Sequence, residues 1–199
     1  MRTRSGDKEK SIANAAVKVF ARDGFHGAKI TRIAEEAGVA TGSVYLYFKN
    51  KDSILHHLFS RLWKAMHVAF QELLKRDDLS ARQKVEELFD AIFDLFAENP
   101  PLALLFVNEQ HHLLRQGTGE FMQYYVEFLR MGEQVVRDGI RKGEFSSSVD
   151  PRGFTNFVFG GIRQLLHQWA RAPRQFPMTN LRKDIKEITM FGLLPRNAR

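Results

Sequence analysis

The sequence predicts an all-α protein with a three-helix N-terminal domain and a larger helical C-terminal domain. Apolar residues recur at helical spacing along nearly the whole chain of 199 residues. No segment alternates between apolar and polar residues as a β-strand does, and glycine or proline follows most of the apolar stripes. About nine helices are expected. Residues 1–51 are assigned to the first domain and residues 52–199 to the second.

Charged and aromatic residues are distributed unevenly between the two domains. Residues 1–51 hold ten of the 30 Lys and Arg residues but only five of the 23 acids, and the net charge of the chain is +7. All but three of the 17 phenylalanines lie beyond residue 51. The basic first domain indicates an anionic partner, and the Phe-rich second domain indicates a large apolar core or pocket.

Composition also excludes several classes of protein. The chain has no cysteine, which excludes disulfide scaffolds, thiolate catalysis and zinc ribbons. Its longest apolar stretch is far shorter than a membrane span, and no signal-peptide pattern is present, so a cytoplasmic protein without a membrane partner is expected. No catalytic or cofactor motif occurs at interpretable spacing, and no cofactor is predicted. An enzyme with a histidine in its pocket remains an alternative.

The first three helices are short and are separated by clear signals. The first helix is expected to end at Gly24, and the second at Gly38, which suits a left-handed C-terminal cap. The third is expected to extend through Phe48, and Asn50 is a good N-cap for a long fourth helix. Further helices are predicted over residues 81–97, 101–115 and 151–171, with one that ends at Gly143 and a last one through about residue 191.

The second and third helices form a helix-turn-helix pattern. Val44 and Phe48 are the only apolar pair one turn apart in the third helix, so both are expected to face the core. The residues left on the outer side are Gly42, Ser43 and Leu46, flanked by Tyr45 and Tyr47.

This outer side suits a DNA major groove. The Ser43 hydroxyl can bond base edges or phosphate, Leu46 can contact a thymine methyl, and the tyrosine hydroxyls can hold phosphates. Lys51, in the first turn of the fourth helix, is expected to bind phosphate together with Lys29 and Lys49. The alternatives are tyrosines packed within the domain and lysines that are simply solvated.

Residues 33–55, with the sequence IAEEAGVATGSVYLYFKNKDSIL, resemble the DNA-binding domain of the tetracycline-repressor (TetR) family. The resemblance implies an all-helical homodimer that represses transcription by binding a palindromic double-stranded DNA operator. It also implies release from the operator when a small ligand enters the second domain. Residues predicted to contact DNA are Lys29, Thr31, Thr41, Gly42, Ser43, Tyr45, Leu46, Tyr47, Lys49 and Lys51.

The chain departs from the family pattern at two caps. Ala28-Lys29 stands where the family often has a Ser or Thr that caps the second helix, so Lys29 is expected to replace a phosphate-binding hydroxyl. Ala40 stands where the family often has Ser before the third helix, which moves the expected cap to Thr41.

The resemblance also calls for a ligand pocket, which in this chain would be wide, aromatic and apolar. Asn108 or His111 would supply its polar anchor, and an ordinary packed core is the alternative. The predicted lining residues are Trp63, Met66, Phe89, Phe93, Phe106, Asn108, His111, Tyr124, Phe128 and Phe157. The adjacent histidines at 56–57 and 111–112 point about 100° apart on a helix, so no metal site is predicted.

The motif VYLYFKNKDSIL and the later pattern GIRKGEF…VDPR…FGGI…W are similar to the family branch that regulates fatty-acid degradation in response to acyl-coenzyme A. An apolar small-molecule effector is therefore expected, and acyl-coenzyme A is suspected. Basic residues considered for the coenzyme phosphates are Arg115, Arg130, Arg137, Arg141 and Lys142. The alternatives are a drug-responsive repressor of an efflux system and a DNA-binding protein without an effector.

Two adjacent glycines lie in the middle of the helix predicted over residues 151–171. Each costs roughly 1 kcal/mol relative to alanine, so the pair needs a packing reason. Close approach to the same helix of a second chain would supply one, and the resemblance likewise implies a dimer built from the last two helices. The predicted dimer residues are Phe157, Gly160, Gly161, Gln164, Leu165 and Gln168.

Overall fold

The computed structural model describes residues 5–116 and 120–194. Within these ranges every secondary-structure element is an α-helix. The all-α prediction is confirmed. In chain order the helices are α1 (Ser5–Asp23), α2 (Ile30–Ala37), α3 (Thr41–Tyr45), α4 (Lys51–Leu74), α5 (Ala81–Ala97), α6 (Pro100–Gln116), α7 (Glu120–Arg141), α8 (Pro151–Arg171) and α9 (Met178–Leu193).

Helices α1, α2 and α3 form a small bundle at the N-terminal end. α1 packs on α2 and α2 packs on α3, and the buried side chains between them include Ile12, Phe20 and Ile33. As predicted, Gly38 adopts the left-handed conformation, with φ of 67°. Its N–H and that of Val39 satisfy carbonyls in the last turn of α2, and this turns the chain directly into α3.

The third helix is shorter than predicted. It ends at Tyr45 rather than Phe48, because the chain must turn to start α4. The N–H groups of Tyr47 and Phe48 both still bond to the Val44 carbonyl. The turn therefore keeps a helix-like geometry, and Phe48 stays directed at the core as its spacing from Val44 predicts.

The long helix α4 joins the two halves of the chain. Asn50 caps it, as predicted, in a reciprocal capping box: the Asn50 side chain accepts the Ser53 N–H, and the Ser53 side chain accepts the Asn50 N–H. Its 24 residues give a length of about 36 Å. Its buried stripe packs against α5 and α7.

The remaining helices surround the far part of α4. α7 and α8 pack together, α6 lies between α1 and α8, and α9 packs on α5 and α8. Arg182 and Lys186 of α9 form ion pairs with Asp90 of α5. None of the helices in the described residues has the combined length and apolar character needed to cross a bilayer.

Gly139 in α7 marks the closest approach within this half. A Cβ atom there would overlap the ring of Phe145 and lie 2.9 Å from the Cβ of Ala81. Phe145 is itself buried, so its ring has no open space to move into. Glycine is therefore required at this position by packing rather than by backbone conformation.

We expect Gly139→Ala to lower the free energy of unfolding by about 1–2 kcal/mol. The overlap outweighs the gain in helix propensity. Urea denaturation measures the loss. In a Phe145→Leu background the same change should cost less, because the smaller side chain leaves room. An equal cost in both backgrounds would contradict the packing explanation.

Candidate DNA interface and ligand cavity

The outer surface of α3 and the turn after it carries exposed apolar and aromatic side chains. Leu46 is 81% exposed and Tyr45 is 56% exposed, while Val44 on the opposite side is fully buried. Contact with water is unfavourable for the apolar Leu46 side chain. Its exposure beside Tyr45 is explained if a binding partner covers this surface. Tyr47 differs from Tyr45, since it is partly buried and packs against the core.

All ten residues predicted to contact DNA retain accessible surface on the first domain. Lys29, Thr31 and Lys49 are exposed, and so are Gly42, Tyr45 and Leu46. The partly exposed residues are Thr41, Ser43, Tyr47 and Lys51. The expected cap at Thr41 is wrong: Ala40 is the N-cap of α3 and makes no side-chain bond there. Thr41 lies inside the helix, which leaves its hydroxyl available to a partner.

The ammonium group of Lys51 is bonded within the protein. It donates to the carbonyl oxygens of Phe25 and His26, each at 2.8 Å, and lies 5.0 Å from the centre of the Phe25 ring. An ammonium has three N–H donors, so these bonds leave one donor for a phosphate. Sequence reasoning missed this contact, which ties the start of α4 to the turn between α1 and α2.

We expect Lys51→Met to lower the free energy of unfolding by about 1–2 kcal/mol, because two hydrogen bonds from a charged donor are lost. Lys49→Met is the matched control, since Lys49 is exposed two residues away. Thermal denaturation of both variants measures the difference. Equal stability of the two variants would show that the Lys51 bonds contribute nothing.

The predicted ligand residues fall into two groups in the structure. Tyr124 is partly buried, and the buried members are Trp63, Met66, Phe89, Phe93, Phe106 and Phe128. The side chains of the other three predicted residues are exposed to solvent. Asn108 and His111 lie on the outer side of α6, and Phe157, 78% exposed, lies on the outer side of α8.

Only part of the buried group borders a cavity. A nearly wholly apolar cavity of about 50 Å³ lies where α5, α7 and α8 meet α4. Phe89 and Phe128 line it, together with α5 residues at helical spacing and with Thr155 and Phe159 of α8. Trp63 and Phe106 are packed instead into an aromatic cluster with Tyr125 and Phe159. The helical spacing of the apolar α5 residues could have identified them as cavity-lining residues from the sequence. No sequence signal marks Thr155 as a lining residue.

A buried polar group lies on α6 where the sequence placed none. Gln110 is completely buried. It follows Phe106 by four residues and precedes the buried Leu113 by three, so it stands on the apolar stripe of α6. That position could have been found from the sequence.

Arg163 of α8 is a second polar group inside this half of the protein. It donates to the Val107 carbonyl at 2.8 Å and to the His111 ring at 3.2 Å. Burial lowers the pKa of Arg163 below its ordinary value, which the nearby Tyr125 partly offsets. Burial likewise raises the pKa of the Tyr125 hydroxyl, and the Arg163 charge opposes that rise. No group of three or more His, Asp or Glu side chains in the described residues is arranged to hold a metal ion.

The outer sides of α8 and α9 form an apolar surface. Phe157, Ile188 and Phe191 are exposed on it. Among the predicted dimer residues, Gly160 and Gln164 are exposed, and Gly161 and Gln168 are partly so. A Cβ atom at either glycine would meet no atom of the described residues within 4 Å, so packing against that part of the chain explains neither glycine. Leu165 is turned toward the core and packs against it.

Comparison with known proteins explains the arrangement of these surfaces. Residues 12–58 match the model of bacterial regulatory proteins of the tetR family, and residues 58–192 match that of the YsiA-like protein C-terminal region. The chain belongs to the tetR family. It is therefore a DNA-binding transcriptional regulator and not an enzyme. The two matches meet inside α4.

Similar proteins include regulators of fatty-acid metabolism. The fatty acid metabolism regulator protein of Bacillus subtilis is 30% identical over 189 residues, which is 94% of this chain and 95% of that protein. The structure of FadR from Bacillus subtilis in complex with stearoyl-CoA has a TM-score of 0.74 and 30% identity, and covers 92% of this chain and 98% of that one. The fatty acid degradation regulator FadR from Bacillus halodurans has a TM-score of 0.79 and 26% identity, with coverage of 94% and 97%.

Proposed function

We propose that this regulator is a cytoplasmic homodimeric repressor that leaves its palindromic operator when a long-chain acyl-coenzyme A binds. The observation that carries the proposal is the likeness, over 92% of the chain, to a regulator whose structure contains stearoyl-CoA. The apolar lining of the cavity between α4, α5, α7 and α8 supports an acyl chain as the ligand part that enters there.

The DNA-binding part of the proposal rests on the first domain, residues 1–51. Leu46 and Ser43 would contact base edges, while Tyr45, Tyr47, Lys29 and the lysines at 49 and 51 would contact phosphates. This assignment is supported by the exposure of the α3 surface and by the positive charge around it. A dimer would set two such surfaces about one DNA turn apart, ~34–36 Å.

The dimer part rests on the apolar surface of α8 and α9. An isologous pair would cover Phe157, Ile188 and Phe191 and would bring the backbones together at Gly160 and Gly161. Covering these rings removes apolar surface from water, and the two glycines allow a close helix approach.

The switch part rests on α4. Its first residue, Lys51, bonds the turn between α1 and α2, and its later residue Phe70 lines the cavity. An acyl chain needs more room than the cavity has, so its entry would displace α4 against α5 and α7. That displacement would move the first domain, and the resulting coupling between ligand and DNA is reciprocal.

We expect acyl-coenzyme A to release the operator more effectively as its chain lengthens. Each added pair of methylenes should raise affinity by up to about tenfold until the opened cavity is full. Fluorescence anisotropy of labelled operator, titrated with C8 to C18 thioesters, measures the series. Release by cationic dyes alone would refute the acyl proposal and favour a drug-responsive repressor.

A variant that fills the cavity tests the site directly. Val158 borders the cavity, and Val158→Phe should weaken the response to stearoyl-CoA by roughly tenfold or more while operator binding persists. Val126→Phe is the control, because Val126 is exposed on the outer side of α7. An unchanged response in Val158→Phe would remove this cavity from the proposal.

We expect Phe157→Glu to shift the protein toward the monomer, because it places a charge in the proposed apolar interface. Operator affinity should fall as well, because fewer dimers are present to bind the two half-sites. Sedimentation velocity and operator titration measure the two effects. Val68→Glu is the control, because Val68 is exposed on α4 rather than on α8 or α9. This variant should remain dimeric. A Phe157→Glu protein that is fully dimeric would place the interface elsewhere.

A further inference from the structure

Six side chains of the second domain have a buried polar atom that lacks a hydrogen-bond partner among the described residues: His57, Trp63, His67, Gln110, Thr155 and Arg163. Three of them belong together in space, through Nε1 of Trp63, both amide atoms of Gln110 and the buried Nε of the partly exposed Arg163. Buried polar atoms without a partner are uncommon in folded proteins, and each calls for an explanation such as a bound water or ligand.

These three groups adjoin a single aromatic cluster. The centre of the Trp63 ring lies 5.7 Å from the centre of the Phe106 ring and 6.0 Å from the centre of the Phe159 ring. Gln110 follows Phe106 by one helical turn on α6, and Arg163 follows Phe159 by one turn on α8. Residues one turn apart lie on the same side of a helix. The unpartnered atoms therefore flank the cluster from α4, α6 and α8.

Arg163 differs from the arginines of the neighbouring helix α7. Arg130, Arg137 and Arg141 are each ion-paired with an acid of α7 itself. Arg163 forms no ion pair with any described residue, and its Nη atoms bond only a carbonyl and the His111 ring. Its charge is thus partly buried without an acidic partner, an arrangement that an anionic ligand would stabilise.

The Arg163 site adjoins the apolar cavity. Phe159 lines the cavity on one side and contacts Trp63 on the other. Arg163 lies four residues further along α8, which is about 6 Å along the helix axis. An apolar chain in the cavity and a polar group beside Arg163 would therefore fit one amphipathic molecule.

We propose that Arg163 binds the anionic group of an amphipathic effector whose apolar chain occupies the cavity. Gln110 and the Trp63 indole bond the polar atoms that follow the chain. The anion is either the carboxylate of a free fatty acid or a phosphate of its coenzyme A thioester. This inference rests on the proposed function, since it concerns the same effector.

The test compares anionic and neutral ligands of equal chain length. Binding of stearate, stearoyl-CoA and octadecanol to the full-length protein is measured by isothermal titration calorimetry for wild type, Arg163→Gln, Arg163→Lys and Arg152→Gln. Arg152 is the matched control, because it is an exposed arginine on the same helix. Arg163→Gln should weaken the binding of at least one anionic ligand by about tenfold or more and leave the affinity for octadecanol unchanged. Arg163→Lys keeps the charge but loses the planar fork, so its loss should be smaller.

The pattern across ligands identifies the anion. If Arg163→Gln loses affinity for stearate alone, the site binds a carboxylate. If it loses affinity for stearoyl-CoA alone, the site binds a phosphate. Equal weakening of octadecanol, an equal effect of Arg152→Gln, or no binding of any ligand to wild type would overturn the proposal. Loss of anion binding in Arg163→Gln, without operator release by stearoyl-CoA in wild type, would refute the proposed function and leave the site standing.

Gln110→Met gives an independent readout with effects of opposite sign. Removing an amide without partners should raise the melting temperature of the free protein by roughly 2–4 °C. The same change should weaken the anionic ligand severalfold, because it removes hydrogen bonds made only to the ligand. A lower melting temperature would assign Gln110 a structural role and contradict its place in the site.

Discussion

The position of the outer surface of α3 depends on how the first turn of α4 is held. The capping box of Asn50 and Ser53 fixes where the helix begins, and the Lys51 ammonium bonds two carbonyls of the turn between α1 and α2. The rest of α4 is held by its buried stripe against α5 and α7. Because α4 is one uninterrupted helix, the proposed switch uses it to carry a shift of its far part to its first turn.

A second element of the C-terminal half reaches the same turn. The His112 ring on α6 lies 5.4 Å from the Phe25 ring and 5.7 Å from the His26 ring, and its Nε2 atom is 3.8 Å from Asp52. The turn that Lys51 bonds is therefore in contact with both α4 and α6. Since α6 also packs along α8, rearrangement around Arg163 has a contiguous path to the first domain.

The interior of the second domain is divided between a closed aromatic cluster and a small cavity. A volume of about 50 Å³ suits a water or two, and an acyl chain needs several times as much room. Protein interiors are close-packed, so a chain can enter only when helices separate rather than when one side chain rotates. In the proposed function this requirement is what joins ligand entry to movement of α4.

Local signals in the sequence were enough to predict the helices, apart from the end of α3, and the side chains that α3 leaves exposed. Gly38 and Asn50 were identified as caps because capping energies act between residues a few positions apart. The inward direction of Val44 and Phe48 followed from their spacing alone, and this left Leu46 and Tyr45 on the outer side. The dimer surface proposed on α8 also rests on a local signal, because a mid-helix glycine pair has a cost in helix stability that needs an explanation.

Only the tertiary structure decided what each buried residue is packed against. Periodicity shows that Trp63 and Phe89 are buried, but whether a ring borders a cavity or a neighbouring ring depends on helices distant in sequence. Asn108 and Gln110 are two residues apart, and a rotation of about 200° around α6 exposes one and buries the other. The contacts of Lys51 and Arg163 join residues 25 to 56 positions apart. Such contacts have no local signature, because they are set by the packing of whole helices.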